Sequence, residues 1–463
     1  MKISTALSFL RLQPYDTTTE AGRTRERHRL AALAMASNLM GRLVMMLVMV
    51  ISVSLTVPYL GQERFGIWMT IASFGGLLTF LDLGIGNAIN NHVARCAASE
   101  SPEKLSRAVT GGLGLIAAIA LPVTILLLIL ASTIPWEHIV KLTTPGATRE
   151  LRESAILFVI IFGINLIGSS IQKVFSGLQM GYVVNIATII ASLSTIAALW
   201  VATQANAGIP LLLAITFGFQ SIAAYFLLPI LFARNLIKPA KFREFFLSEY
   251  RPLLSLGTLF LVLQVGTMAV FGVDALIIAH KLGAEEVAVY SLTLRLFQFV
   301  TSPVAIINTP LWSAYADASA RKDFSYIQST LKNSLMAVLA ITIVGGTIIV
   351  AFGNQISIFW TSGKIVLPTA FLIAFAIWII IESCGSSLAM LLNGCQIIKP
   401  QIVVVIFLTA VILPAKFWLP DYIGIQAFPL ISAICYVGIP YLIYRTVFFD
   451  DICRAVGIFR RAL

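Results

Sequence analysis

Long apolar runs separated by short polar turns recur from residue 32 to residue 446. A helix crosses the ~30 Å hydrocarbon core of a bilayer with ~20 apolar residues, at 1.5 Å per residue. Twelve stretches meet that need: residues 32–59, 66–92, 108–133, 153–178, 183–203, 208–233, 252–280, 287–315, 328–353, 365–394, 400–419 and 422–446. The pair at 400–446 is the least regular, because Pro414, Pro420 and Asp421 crowd its turn. With the N-terminus inside, the inner tails and loops carry 23 Lys and Arg. The outer loops carry seven: Arg64, Lys141, Arg149, Arg152, Lys281, Lys364 and Lys416. Basic residues accumulate on the cytoplasmic side of membrane proteins, so the bias predicts both termini in the cytoplasm. The pattern predicts an all-α membrane protein of 12 transmembrane helices.

The spans divide into two related halves of six. LGQERFGIW at 60–68 aligns with LGAEEVAVY at 282–290, an offset of 222. Leu60, Gly61 and Glu63 match Leu282, Gly283 and Glu285, and Trp68 faces Tyr290. At the same offset Ala94 and Ala98 meet Ala316 and Ala320. Six spans per repeat is an even number, so the halves share one topology and an axis along the membrane normal relates them. The expected organisation begins with a basic cytoplasmic tail (1–30) and an N-lobe (31–233). A cytoplasmic linker (234–251) with Arg234, Lys238, Lys241, Arg243 and Arg251 leads to a C-lobe (252–446) and a cytoplasmic tail (447–463). The N-terminal tail does not read as a cleavable signal: the apolar residues 3–10 are too few, and AGRTRERHRL at 21–30 is strongly basic. The largest outer loop, 134–152, is too short to house a catalytic domain of ~50 residues or more.

Composition agrees with the span count. Of the 463 residues 58% are hydrophobic and 11% charged, with a mean hydropathy of +0.92, whereas a soluble domain carries about 25% charged residues. The net charge of +11 sits mostly in short loops, where it faces cytoplasm and anionic headgroups rather than nucleic acid. Cys96, Cys384, Cys395, Cys435 and Cys453 show no CxxC spacing, and His28, His92, His138 and His280 form no HExxH. No metal enzyme and no cofactor is expected.

Chemistry is concentrated in five charges inside the spans: Arg42, Asp82, Asp274, Arg295 and Glu382. Each costs ~2.5–3.5 kcal/mol at a helix centre, so each is expected to face the bundle interior or a hydrated cavity. Arg42 follows Arg29 by 13 residues and Asp82 precedes Arg95 by 13, which puts both at one depth in the inner half. Asp274 lies 7 residues before Lys281 and Arg295 lies 9 after Glu286, a shared level in the outer half. Two bridges, Arg42–Asp82 and Asp274–Arg295, are one expectation. The other is a cavity between the lobes in which the arginines meet an anionic substrate, since guanidinium groups present a planar fork of donors to phosphate. Glu382 is 18 residues from Lys364 and 17 from Lys399, near the midplane, with no basic residue at its level. It is a candidate proton or sodium site, or a neutral acid bonded to backbone, Ser383 or Ser387. Asn38 shares a helix face with Arg42, and Gln298 with Arg295, while Gln264 is the counterpart of Arg42 under the 222 offset. Asn87, Asn90, Asn91, Asn165 and Asn308 read first as interhelical glue. Pro122, Pro229, Pro303, Pro310 and Pro440 are expected to interrupt their spans.

The stretch LGQERFGIWMTIASFGGLLTFLDLGIGNAINNHVARCAASE, residues 60–100, resembles the polysaccharide transporter family of the multidrug/oligosaccharidyl-lipid/polysaccharide (MOP) superfamily. LGxExFGxW followed by DLGIGNA carries the likeness, and VDALIIAHKLGAEEVAVYSL at 273–292 resembles the counterpart that opens the second lobe, with Asp274 at a recurrent acidic position. The resemblance implies a MATE-like pair of six-helix lobes, alternating access to a central cavity, and a bacterial cytoplasmic (inner) membrane location. It implies as substrate an undecaprenyl-diphosphate-linked oligosaccharide, flipped for O-antigen or exopolysaccharide synthesis. Partners are then that substrate, membrane lipids and the polysaccharide polymerase machinery. The rivals are a multidrug–cation antiporter of the same superfamily and, with less support, a membrane glycosyltransferase or polymerase.

Overall fold

A computed structural model describes residues 19–78, 85–98, 101–136, 140–142, 146–238, 268, 272–395, 397 and 399–446. These residues are almost entirely helical, and no strand occurs among them. The first half contains α1 (Glu20–Leu78), α2 (Ile85–Ala98), α3 (Pro102–Thr133), α4 (Ala147–Gly177), α5 (Gly181–Gln204), α6 (Ile209–Ala223) and α7 (Leu228–Ala233). The second contains α8 (Asp274–Lys281), α9 (Ala284–Ala320), α10 (Phe324–Trp360), α11 (Thr369–Gly394), α12 (Lys399–Trp418), α13 (Pro420–Ile423) and α14 (Ala427–Thr446).

Ten helical stretches among the described residues are long and apolar enough to cross a membrane. They coincide with ten of the twelve expected spans. The second and seventh run partly through 79–84 and 239–271, which, Met268 apart, lie outside the described residues. Not every helix stops at the bilayer edge. The 37 residues of α9 make a rod of about 55 Å, nearly twice the hydrocarbon thickness. Its C-terminal end packs against α10 and α11 through buried Tyr315, Ala318, Ile327 and Leu391. Pro303 and Pro310 do not interrupt α9, contrary to expectation.

The match between the two LG motifs has a backbone cause. Gly61 (φ 75°, ψ 177°) breaks α1 where the sequence places the first outer turn. Gly283, its counterpart, sits at φ 101° between α8 and α9. An L-residue in that region carries a steric penalty that glycine escapes, so both motifs spend a glycine on reversing the chain.

The chain divides into two compact units. One comprises residues up to Tyr59, Phe74–Trp136 and Pro145–Val262; the other comprises Leu60–Ser73, Glu137–Thr144 and Leu263 onward. In the first, α4 is the hub and packs on α2, α3 and α6. In the second, α11 packs on α9, α10 and α14. These are the fourth helix against the second, third and sixth of each half, so the packing repeats the 222-residue relation. The hubs use the same glue: Asn165 of α4 donates to Ser221 of α6 (3.2 Å), and Asn308 of α9 bonds Ser386 (3.2 Å) and Ser387 (2.9 Å) of α11.

Candidate functional site

Within the second unit three helices bring a charge cluster together. Asp274 opens α8, Tyr290 lies two turns into α9, and Lys416 sits near the end of α12. Lys416 Nζ stands 2.7 Å from Asp274 Oδ1, and the two side chains are 0% and 8% exposed. The Tyr290 hydroxyl donates to Asp274 Oδ2 at 2.9 Å. Around Tyr290 stand the rings of Phe371, Phe375 and Phe428, with centroids 5.8–6.4 Å away. A pair sealed this way exchanges no ligand with solvent, and its chemistry is to hold α8, α9 and α12 together.

This corrects two expectations. Asp274 pairs with Lys416, not with Arg295. Lys416 is not an outer-loop charge: it is a fully buried side chain inside α12. The partly exposed basic residue near that helix end is Lys281, which bonds Asp421 at 2.9 Å and lies 4.3 Å above the Phe417 ring.

Freed from Asp274, Arg295 takes a different setting. Its guanidinium donates to Met69 Sδ at 3.4 Å and lies 5.9 Å from the Phe65 centroid. Phe65 and Met69 are one turn apart on the far arm of α1, a segment that clusters with the second unit. Close approach there depends on Gly66, whose missing side chain makes room for the Ala284 carbonyl. Gln62 Nε2 donates to the Glu285 carbonyl at 3.3 Å, which joins the two LG turns. Among the described residues no carboxylate comes within ion-pair distance of Arg295. A thioether and a ring face are weak partners for a group with five N–H donors, so the described residues leave most of its donor capacity open. Gln298, one turn on, is exposed.

Glu382 lies half-buried in α11, and no hydrogen bond or ion pair to it occurs among the described residues. Its surroundings are aromatic. Tyr436 of α14 packs over Gly385 and meets Trp378 edge to face at 5.6 Å. In the first unit Arg42 is exposed, and its Nε donates to Asn38 Oδ1 at 3.1 Å, so the expected shared face exists. Asp82 and Gln264 lie outside the described residues. Sequence reasoning missed Lys416 and Tyr290; the match of Tyr290 to Trp68 was the one available signal.

Comparison with known proteins places this geometry in a family. The model of the polysaccharide biosynthesis protein family matches residues 32–315, more than half of the chain. The chain belongs to this family. A second model, MatE, matches residues 258–418 of this family member. A candidate O-antigen export protein of Yersinia pseudotuberculosis is 24% identical over 412 residues, 85% of this chain and 89% of its own. A candidate O-antigen transporter of Salmonella typhi is 21% identical over 334 residues, 69% and 71% of the two chains. Among solved structures, an inward-facing MATE family transporter of the MOP superfamily superposes with a TM-score of 0.74 at 14% identity, covering 89% of this chain and 95% of that one. The lipid II flippase MurJ, in an inward closed conformation, gives 0.65 at 12% identity, covering 92% and 90%. This member of the polysaccharide biosynthesis protein family has the MOP fold and is a multi-pass protein of the bacterial inner membrane.

Proposed function

We propose that the protein is a flippase. It carries lipid-linked oligosaccharide units on undecaprenyl diphosphate from the inner to the outer leaflet by alternating access and makes no covalent bond. A hydrated glycan and a diphosphate cannot cross ~30 Å of hydrocarbon unaided, so such units need a protein path. The observation that carries the reading is Arg295, a guanidinium with open donors and no carboxylate partner among the described residues. A planar fork of donors suits a diphosphate. Family membership and the two O-antigen relatives support the substrate class. In this reading Arg42, Asn38, Gln264 and Gln298 add polar contacts for diphosphate or sugar. Glu382 or Asp82 couples the cycle to a proton or sodium gradient, and the product passes to the polymerase machinery.

One observation favours a second reading, export of amphipathic cations. A half-buried carboxylate beside aromatic rings, as at Glu382 with Trp378 and Tyr436, attracts organic cations. Deletion in cells with an inducible glycan pathway separates the two. Loss of surface glycan with accumulation of complete, cytoplasm-facing lipid-linked units is the expected result. Normal glycan with new sensitivity to cationic drugs would replace the flippase with the antiporter.

A further inference from the structure

The first unit contains an open-sided cleft of about 430 Å³ lined by Thr110, Leu113, Gly114, Ile167, Ile171, Tyr225, Leu228 and Ile237. Its floor is the buried core of that unit, in which Ile171, Leu227, Leu231 and Leu236 are sealed. Both polar side chains of the lining are already committed. The Thr110 hydroxyl donates to the Leu236 carbonyl (3.3 Å) and accepts from the Lys238 amide (2.8 Å), and the Tyr225 hydroxyl donates to the Ile164 carbonyl (2.7 Å). The wall therefore has no free side-chain donor, the rest of its lining is aliphatic or glycine, and it suits hydrocarbon.

Its position and charge narrow the occupant. Thr110 lies eight residues into α3, whose start carries Lys104 and Arg107, and Ile237 follows the end of α7. Both ends belong to the basic side that the charge bias assigns to the cytoplasm. Lys238 follows the lining residue Ile237 directly and its amide bonds Thr110, and Arg234 lies four residues before Lys238; both are exposed. Glu103 is the acidic residue in the first turn of α3. A cavity of 150 Å³ takes one benzene, so 430 Å³ accommodates roughly 17 carbons. That is the length of one acyl chain and a third of an undecaprenyl tail.

The geometry points to a lipid site that is separate from the transport path. The cleft holds one acyl chain of an inner-leaflet anionic phospholipid, with its phosphate against Lys238 and Arg234. Basic side chains at the membrane surface favour anionic headgroups about fivefold each.

The test uses the full chain reconstituted with equal phosphatidylglycerol and phosphatidylcholine of identical acyl chains, re-extracted in mild detergent and read by native mass spectrometry. The wild type should retain phosphatidylglycerol preferentially. Gly114→Leu adds a side chain at a lining position of the cleft within α3, and it should abolish the retained lipid. Arg234→Glu with Lys238→Glu changes exposed side chains only, so folding is preserved; it should keep a bound lipid and lose the headgroup preference. Equal retention of both lipids by the wild type, or unchanged retention in Gly114→Leu, overturns the proposal. Displacement of phosphatidylglycerol by equimolar undecaprenyl phosphate overturns it too, and would assign the cleft to the carrier tail. None of these readouts depends on transport.

Discussion

A lysine ammonium with no exposed surface needs a charged partner, and Asp274 stands 2.7 Å away. Hydration lost by each ion amounts to several kcal/mol, and a partner at contact distance is what offsets it. Lys416→Met and Asp274→Asn should each lower stability by about 3–5 kcal/mol, because each leaves a buried group uncompensated. The double variant should lose less than the sum. Thermal unfolding of the purified protein in detergent measures this, and strictly additive losses would show that the two residues act independently. Arg295 calls for a different experiment, since its role is proposed for substrate rather than fold. Arg295→Ala should abolish surface glycan while membrane protein levels stay constant by immunoblot. Arg295→Lys keeps the charge without the fork and should rescue only partly; full rescue would reduce the requirement to charge alone. The cost of burying Asp274 and Arg295 was readable from their places in apolar runs. The partner of Asp274 was not: Lys416 is 142 residues away and close to a span end, where a lysine reads equally well as an interfacial anchor.

Helix packing shows the same division between what local sequence carries and what it does not. Asn308 reaches from α9 to two serines of α11. Interhelical hydrogen bonds in membranes average about 0.6 kcal/mol, so Asn308→Ala should cost about 1 kcal/mol, measurable as a shifted midpoint in reversible unfolding in mixed micelles. No shift would mean that water or lipid replaces both bonds. The glue role of Asn165 and Asn308 was legible, because an amide inside an apolar run has few other options. Span positions were legible too, since length and hydropathy suffice for a helix that must satisfy its backbone internally. What escaped was the fate of the prolines in α9. A proline removes one backbone bond, here the one to the Phe299 carbonyl, yet the helix runs on through Pro303. Membrane helices tolerate proline where local adjustment re-satisfies the freed group. The docking of the far arm of α1 onto α9 was equally hidden, because Gly66 reads as an ordinary small residue until Ala284 is seen against it.

At the scale of the whole chain, the two glycine turns and the two hub helices express one repeat of six spans. Halves of six spans, an even number, are expected to start and end on the same side, and the charge bias assigns that side to the cytoplasm. The prediction concerns four positions. Lys141 follows α3, and Lys364 follows α10, the equivalent helices of the two halves; both positions should lie outside. Lys322 lies between α9 and α10, and Lys104 opens α3; both should lie inside. Single cysteines at these positions, in a chain whose five native cysteines are replaced by serine or alanine, report topology through a membrane-impermeant maleimide. Lys141→Cys and Lys364→Cys should label in intact spheroplasts, whereas Lys104→Cys and Lys322→Cys should label only after lysis. The pairing of positions across the repeat gives the experiment its force. If Lys141→Cys and Lys364→Cys label from opposite sides, the halves have inverted topologies and the axis along the membrane normal is wrong. If all four positions are reversed together, the repeat stands, and the orientation drawn from Lys and Arg is what fails.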